Sequence, residues 1–539
     1  MSNQKLLLLG DEAIAQGAMD AGLSGMYAYP GTPSTEIMEY FQASKQAEEL
    51  KIQRTWSANE KTAMETALGM SYAGKRTMVA MKHVGLNVAA DAYVNSAITG
   101  VNGGLIVVAA DDPSMHSSQN EQDSRFYAKF SLLPVFEPIN HQEAYDMAYK
   151  GLEFSEKFGL PVMIRITTRL AHSRAGVTRL PQLPQNELKL PKNPTQFVLL
   201  PSIARVQYKE LLSKQDLMEK AGEEMGYNTY FDAADKSKGI IACGLAYNYL
   251  VENYPDQKVP FPVLKVSQYP VPKSLVKKIA SECNELIILE EGAPILEELI
   301  KGYLEKENVK GRLDGTLPRD GELNPNLVAL AMGLPSVEGK PVPSVVTSRP
   351  PAMCQGCGHI DAYNALNVAL ADYGKGRVFS DIGCYTLGAY PPFNAINSCV
   401  DMGASITMAK GAADAGLVPA VSVIGDSTFT HSGMTGLLDA VNDKSPITVM
   451  ISDNFTTGMT GGQDSAALGK IEDICAGLGV EPEHIRVFTP VKSKHDEMVQ
   501  IIKEELAYNG VSVIIPRRQC VQTMKNKNLA EKIKELGLR

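Results

Sequence analysis

The sequence contains no basic run or stripe: 52 Lys and Arg stand against 61 Asp and Glu, a formal net charge of −9. Nucleic-acid surfaces are built from clustered cations, with aromatics interleaved where bases stack, and neither pattern occurs, so nucleic acid is excluded as a partner. Long apolar runs are also missing. The start, MSNQKLLLLGDEAIAQGA, offers four leucines before Gly10 and Asp11, far short of a signal-peptide core or a membrane span. A cytoplasmic protein with no membrane partner is expected. Eight cysteines in 539 residues are too few for a secreted disulfide framework, and clustered cysteines in a cytoplasmic chain more often bind metal or do chemistry. There is no short-period repeat, low-complexity tract or coiled-coil heptad.

The chain is too long for one core, and roughly three domains are expected from typical domain sizes. From residue 6 to about 170, apolar runs such as GMYAYP, RTMVAMK, GLIVVAA and LPVMIRI alternate with helical stretches. That alternation predicts an α/β fold with a parallel sheet covered by helices. A Pro-rich stretch over 179–199 reads as a linker. Residues 200–316 hold a helical segment and two buried-strand runs, GIIACG and ELIILEEG, consistent with a smaller α/β domain. A second Pro- and Gly-rich linker is placed at 317–351. From 352 to 539 the alternation resumes, with strands predicted at RVFSDIG, AVSVIGD, ITVMISD and VSVIIP.

Ligands of open parallel sheets bind beyond the carboxyl ends of the strands, and four features of the last domain fall at such ends. Cys384 follows RVFSDIG, Gly425-Asp426-Ser427 closes AVSVIGDS, Asp453-Asn454 closes ITVMISDN, and Cys520 follows VSVIIPRRQ. Gly-Asp-Ser and Asp-Asn are one strand-helix-strand crossover apart. Together they offer a carboxylate, an amide oxygen and backbone carbonyls, hard ligands suited to Mg2+ bound with a diphosphate. The glycines and small hydroxyls of GDSTFTHSG and NFTTGMTGG let backbone N–H groups approach phosphate oxygens. Either half alone reads as an ordinary turn after a strand. The pair resembles the thiamine-diphosphate motif, which implies side-chain ligation of Mg2+ by Asp426 and Asn454 and a carbonyl ligand from Thr456, with Gly425, Ser427 and Thr457 against the cofactor. Thiamine further requires a carboxyl group at N1′ of its aminopyrimidine, in a pocket that raises its pKa. Glu60, in TWSANEKTAMETALG, is the candidate, and its alternative is a helix-capping acid.

The segments YPGTPSTEI, NEKTAMETALGMSYAGKR, RPPAMCQGCGH, SDIGCYTLGAYPPF, MGASITMAKG, VIGDSTFTHSGMTGL and DNFTTGMTGGQ together resemble the α subunits of the indolepyruvate:ferredoxin oxidoreductases, within the thiamine-dependent 2-oxoacid:ferredoxin oxidoreductases. The resemblance implies a pyrimidine-binding domain (1–178), a transketolase C-terminal-like domain (200–316) and a diphosphate-binding domain (352–539). It implies a [4Fe-4S] cluster on Cys354, Cys357, Cys384 and Cys520. Zinc suits the same four thiolates, although a cluster fits better beside a redox cofactor. A thioredoxin-like dithiol is disfavoured because Cys354 follows a linker rather than opening a helix. His359, Cys243, Cys283, Cys399 and Cys475 are read as structural.

The implied activity is oxidative decarboxylation of an aryl 2-oxo acid to acyl-CoA and CO2, with electrons passing through the cluster to ferredoxin or a related carrier. Thr32, in the Pro-Gly-Thr-Pro turn, is the first substrate-contact candidate, with His116, Gln119 and Arg125 after it. Arg125 is read either as a carboxylate clamp or as a solvated surface residue, and Lys82 and His83 as further pocket candidates. The resemblance also implies a two-fold homodimer sharing cofactor sites, joined by a small β subunit. Many such α subunits continue into a ferredoxin-like tail. Here the sequence stops at Arg539, soon after Cys520, so one cluster is expected, with electrons leaving to an external carrier or through another subunit. The rival readings are a non-oxidative thiamine-dependent decarboxylase or acyloin synthase, which has no use for four converging cysteines, and a non-catalytic thiamine-fold partner subunit, for which the loss of Glu60 or Asp426 would argue.

Overall fold

The computed structural model describes residues 5–193, 196–197, 201–302, 308–318, 321–337, 339–347, 352–399, 402–414 and 417–538. It divides into two compact units, Met1–Pro341 and Val342–Arg539. Parts of both expected linkers (194–195 and 198–199; 319–320, 338 and 348–351) lie outside the described residues.

The first unit is built on a seven-stranded sheet. Its order is Gln268–Tyr269, Val135–Phe136, Val162–Thr167, Leu105–Asp111, Thr77–Lys82, Gly25–Ala28 and Gln53–Trp56. All neighbours run parallel except the first strand, which pairs antiparallel with Val135–Phe136. The central strands are buried along their whole length, as continuous apolar runs covered on both faces by helices should be. The four-leucine run at the start is not in this sheet: Lys5–Leu9 pairs antiparallel with Arg174–Thr178 in a separate two-stranded ribbon. Leu7 faces solvent, whereas Leu8 is buried in the core of the unit and Leu6 packs against it.

Residues 201–332 begin with the helices Pro201–Ser213 and Gln215–Glu224 and hold a five-stranded sheet ordered Val309–Lys310, Glu285–Leu289, Lys238–Cys243, Val263–Val266, Thr229–Phe231. The fold extends past the expected boundary at 316. Leu317, Leu323, Val328 and Met332 pack into the same core as Ile240, Ala242 and Leu289, and Pro325–Ala331 is helical with Asn324 as its N-cap. Proline and glycine suggested a linker there. The apolar side chains between them decide otherwise.

The second unit carries a six-stranded, all-parallel sheet ordered Ser398–Cys399, Val378–Ser380, Ala420–Gly425, Ile447–Ser452, Ser512–Pro516, Ile485–Phe488. All four predicted strands are present and occupy adjacent central positions. The order of connection reverses between Val378–Ser380 and Ala420–Gly425, and such a switch point opens a crevice at the carboxyl edge.

Candidate functional site

Four loops leave that edge side by side. The first begins after Ser380 and turns into a short helix at Cys384. Gly383 and Gly425 both lie against the ring of Tyr385, where a Cβ would come within 2.3 and 2.6 Å of its carbons. Only residues without a Cβ let the two strand ends approach this closely. Tyr385 also hydrogen-bonds the buried Asp381, whose carboxyl burial pushes up to about 7 despite hydrogen bonds from Ser405 and Tyr385.

The second loop starts at Asp426, the first residue of a helix. Its side chain is buried and Oδ2 has no hydrogen-bond partner. Burial, with Asp453 adding to it, holds this carboxyl well above the usual range. An orphaned carboxylate oxygen is costly, and a bound cation is the natural remedy. The third loop contains Asp453 and Asn454. Asp453 is already committed: Arg517 Nε donates to its Oδ2 at 2.7 Å, and Arg517 also forks onto Glu472. Asn454 Oδ1 accepts from Thr456 N at 3.1 Å, so the ordinary Asx turn does form. An amide oxygen has a second lone pair, so the turn leaves Asn454 able to ligate. Ser427 Oγ and Thr457 Oγ1 meet at 2.9 Å, joining the two halves of the motif directly.

The fourth loop brings Cys520 back to the third, its N–H donating to Asn454 O at 3.1 Å. Cys354, Cys357, Cys384 and Cys520 line one cavity of about 220 Å3, together with Asn454 and Gly458. A Cβ on Gly458 would sit 3.5 Å from Cys384 Sγ and 3.7 Å from both Cys520 Sγ and Asn454 Nδ2. Burial and the neighbouring thiols push Cys384 up to about 12 and also raise Cys357. Thiols grouped in this way release protons when a metal centre takes their charge. Among the described residues no three of these sulfurs lie within 4.8 Å of one another. A single tetrahedral zinc with bonds of ~2.3 Å would draw its sulfurs to roughly 3.8 Å.

Cys357 caps the helix Gly358–Ala369, with Gly356 in the left-handed region (φ 78°) and Cys357 N donating to Cys354 O at 3.0 Å. Cys354 itself lies in the turn before the helix and does not open it. The dithiol reading is further disfavoured because Cys357 is raised rather than lowered and two further thiols share the cavity. His359 is buried edge-on to Tyr385, and burial pushes its imidazole down to about 4. Cys243, Cys283 and Cys475 are buried, and Cys399 is exposed.

In the first unit, Glu60 begins the helix Glu60–Tyr72, but the capping role belongs to Asn59, whose side chain accepts from Thr62 N. Glu60 is 5% exposed. Its carboxyl lies against Gly85 in the helix that follows Lys82, where a Cβ would come within 2.5 Å of Oε1. Thr32 O accepts from Ser117 Oγ at 3.2 Å, and Lys82 Nζ donates to Ser117 O at 2.7 Å. The Pro-Gly-Thr-Pro turn, Lys82 and the 112–120 loop thus meet. Burial, partly offset by Asp112, lowers Lys82 to about 8. His83 is buried with Nε2 3.3 Å from Asn120 O. Asp112, which fixes this loop by accepting from Ser117 and Ser118, was not singled out; an acid after a strand has no distinguishing spacing.

His116 and Gln119 are exposed, His116 lying 3.4 Å from Glu322. Arg125 differs from both expectations. It is 1% exposed, and its guanidinium is committed to Asp123, to Glu290 Oε2 at 3.2 Å, to Tyr269 OH at 3.0 Å and to the Glu291 and Ala293 carbonyls. It is neither solvated nor open to a substrate carboxylate.

Comparison with known proteins places this geometry. Residues 16–214 match the model for the thiamine-diphosphate-binding domain of pyruvate flavodoxin/ferredoxin oxidoreductases, and 381–515 match the C-terminal thiamine-pyrophosphate-binding domain of thiamine enzymes. These two domains, with the site just described, define a thiamine-diphosphate-dependent oxidoreductase. The indolepyruvate oxidoreductase subunit IorA of Archaeoglobus fulgidus is 39% identical over 96% of this chain and 86% of its own length. Those of Methanothermobacter thermautotrophicus and Pyrococcus abyssi are each 37% identical over 96% of this chain and 87% and 86% of theirs. The chain belongs to the indolepyruvate oxidoreductase subunit IorA family. A solved 2-oxoglutarate:ferredoxin oxidoreductase from Magnetococcus marinus aligns with a TM-score of 0.49 at 17% identity, over 61% of this chain and 65% of that one. Among the described residues, no helix is long and apolar enough to cross a membrane.

Proposed function

We propose that this chain oxidatively decarboxylates an aryl 2-oxo acid of the indolepyruvate type to its acyl-CoA, passing electrons through a [4Fe-4S] cluster to ferredoxin or a similar carrier. The observation that carries the reading is the shared cavity of Cys354, Cys357, Cys384, Cys520 and Asn454. Four thiols at the cation-binding turn of a thiamine domain have a use in electron removal and none in a simple decarboxylase. A cluster rather than zinc is the reading in keeping with thiols beside a redox cofactor. The names of the relatives support the aryl substrate.

In this reading Asp426, Asn454 and the Thr456 carbonyl hold Mg2+, and Gly425, Ser427 and Thr457 face the diphosphate. Bound thiamine diphosphate supplies the carbon nucleophile and electron sink for decarboxylation. Glu60, buried against Gly85, is the acid that hydrogen-bonds N1′ of the aminopyrimidine. Thr32 orients the substrate, with Lys82 at the neighbouring strand end supplying positive charge. His116 and Gln119 are outer contacts at most, and Arg125 serves the fold. The active assembly is a two-fold dimer completed by a small β subunit.

Protein purified without oxygen should be brown, hold about four irons per chain, yield thiamine diphosphate on extraction, and reduce a dye with indolepyruvate and coenzyme A. One zinc per chain with no iron would sink the redox reading.

A further inference from the structure

Asp11, Glu36 and His172 form a group that the thiamine chemistry does not use. Asp11 lies in the first turn of the helix Gly10–Asp20, Glu36 in the first turn of Thr35–Ala43, and His172 ends Thr168–His172. One ligand atom from each lies within 4.8 Å of the other two. Glu36 Oε1 is 3.4 Å from His172 Nε2, and both side chains are about one-third exposed.

Asp11 makes this more than an acidic cluster. It is fully buried, and neither carboxylate oxygen has a hydrogen-bond partner; Glu36 Oε2 is likewise buried and unpartnered. The nearby Arg174 is committed to Glu12, Nη1 to Oε2 at 3.1 Å. Two carboxylates this close, one of them fully buried, repel each other, and burial together with Glu36 raises Asp11 well above the usual range. A cation between one oxygen of each acid and the His172 ring would offset both charges and give the buried Asp11 a partner.

We infer that Asp11, Glu36 and His172 bind a divalent first-row transition ion of the zinc or manganese class. An imidazole nitrogen beside two carboxylates suits these ions, whereas Mg2+ and Ca2+ take all-oxygen sets. Glu36 and His172, each about one-third exposed, leave an entry path and positions for water, with Asp11 at the floor. The ion ties together three helices, one of which begins just after the turn that carries Thr32. It therefore holds that turn in place. The inference is independent of the cofactor reading, because none of its ligands belongs to the thiamine or cysteine site.

The test is zinc binding by the full-length, cluster-loaded protein after chelator treatment, measured by equilibrium dialysis and by thermal melting. One zinc equivalent beyond the cluster should be present in the wild type and absent in Asp11→Asn and His172→Ala. Zinc should raise the melting temperature of the wild type and leave both site variants unmoved. Without zinc, Asp11→Asn should melt at or above wild type, since it removes a buried unpaired carboxylate. If Asp11→Asn does not fold, His172→Ala, at a partly exposed position, decides alone. Equal zinc uptake by wild type and His172→Ala, or a wild-type melting temperature indifferent to zinc, overturns the inference.

Discussion

Gly458→Ala separates the cluster reading from any purely structural role for the four cysteines. The new methyl would lie 3.5 Å from Cys384 Sγ and 3.7 Å from Cys520 Sγ and Asn454 Nδ2, ordinary van der Waals contacts that require no atom to move. Gly458 is not among the residues in the left-handed region, so alanine brings no backbone strain, and the loss of chain entropy in the unfolded state is worth roughly 0.4–1 kcal/mol in its favour. For a unit of this size each kcal/mol moves the melting temperature by about 2–4 °C. The metal-free variant should thus melt within about 4 °C of wild type, at or above it. Its iron content tells a different story. The methyl takes space from a cavity of only about 220 Å3, between two of the proposed ligands, so iron should fall well below half the wild-type content while every cysteine remains. Iron and acid-labile sulfide on anaerobically purified protein, with melting curves after chelation, are the assays. Full iron in Gly458→Ala would refute the placement of the cluster between these loops.

Asp426→Asn should abolish thiamine diphosphate retention while stabilising the cofactor-free protein at neutral pH. The folded carboxyl keeps its proton where the unfolded one has lost it, so metal-free stability falls as pH rises above about 4; melting curves should show the gap between variant and wild type closing below that pH. Asp381, pushed up to about 7, adds a loss of about 1.4 kcal/mol per pH unit between roughly pH 4 and 7, which Asp381→Asn should flatten in denaturant titrations. Arg125→Met should cost about 3–5 kcal/mol, because Asp123 and Glu290 remain buried without their partner; a drop in substrate affinity with unchanged stability would restore the clamp. Glu60→Gln should bind thiamine diphosphate yet lose 10²–10⁴-fold in rate, the usual worth of a positioned proton carrier, and near-normal turnover would remove Glu60 from the mechanism.

The second unit was legible because its evidence is local. Each strand is a short apolar run, the chemistry falls at its end, and a parallel sheet brings those ends to one edge. The first unit was less so. Lys5–Leu9 has the composition of a core strand but lies in an outer ribbon, and only its pairing partner, about 165 residues on, determines that. Arg125 was misread for the same reason: Glu290 and Tyr269, which bury it, are remote in sequence. The segment 317–332 was mistaken for a linker because Pro and Gly outweighed four apolar side chains whose burial depends on a distant sheet. Asp11, Glu36 and His172 carry no spacing signal, and only the fold brings them together.

The Cys-x-x-Cys pair is the most conspicuous motif in the chain, yet the strand-end residues organise the proposed redox site. Asn454 bonds in two directions at once: its side chain closes the turn proposed to hold the cation, and its carbonyl takes the N–H of Cys520. Its amide also borders Gly458, beside Cys384 and Cys520. Even the Cys354–Cys357 arm is fastened here, because Gly358 packs on Arg518 and Arg518 donates to Asp361 in the helix that follows the pair. In the proposed reading, filling the cysteines would order the same backbone that presents the cation ligands. Coupling of this kind is reciprocal by thermodynamic necessity: whatever factor the cluster adds to cofactor affinity, the cofactor returns to cluster retention. Two short motifs far apart in the sequence then behave as one site, because adjacent parallel strands end at the same edge.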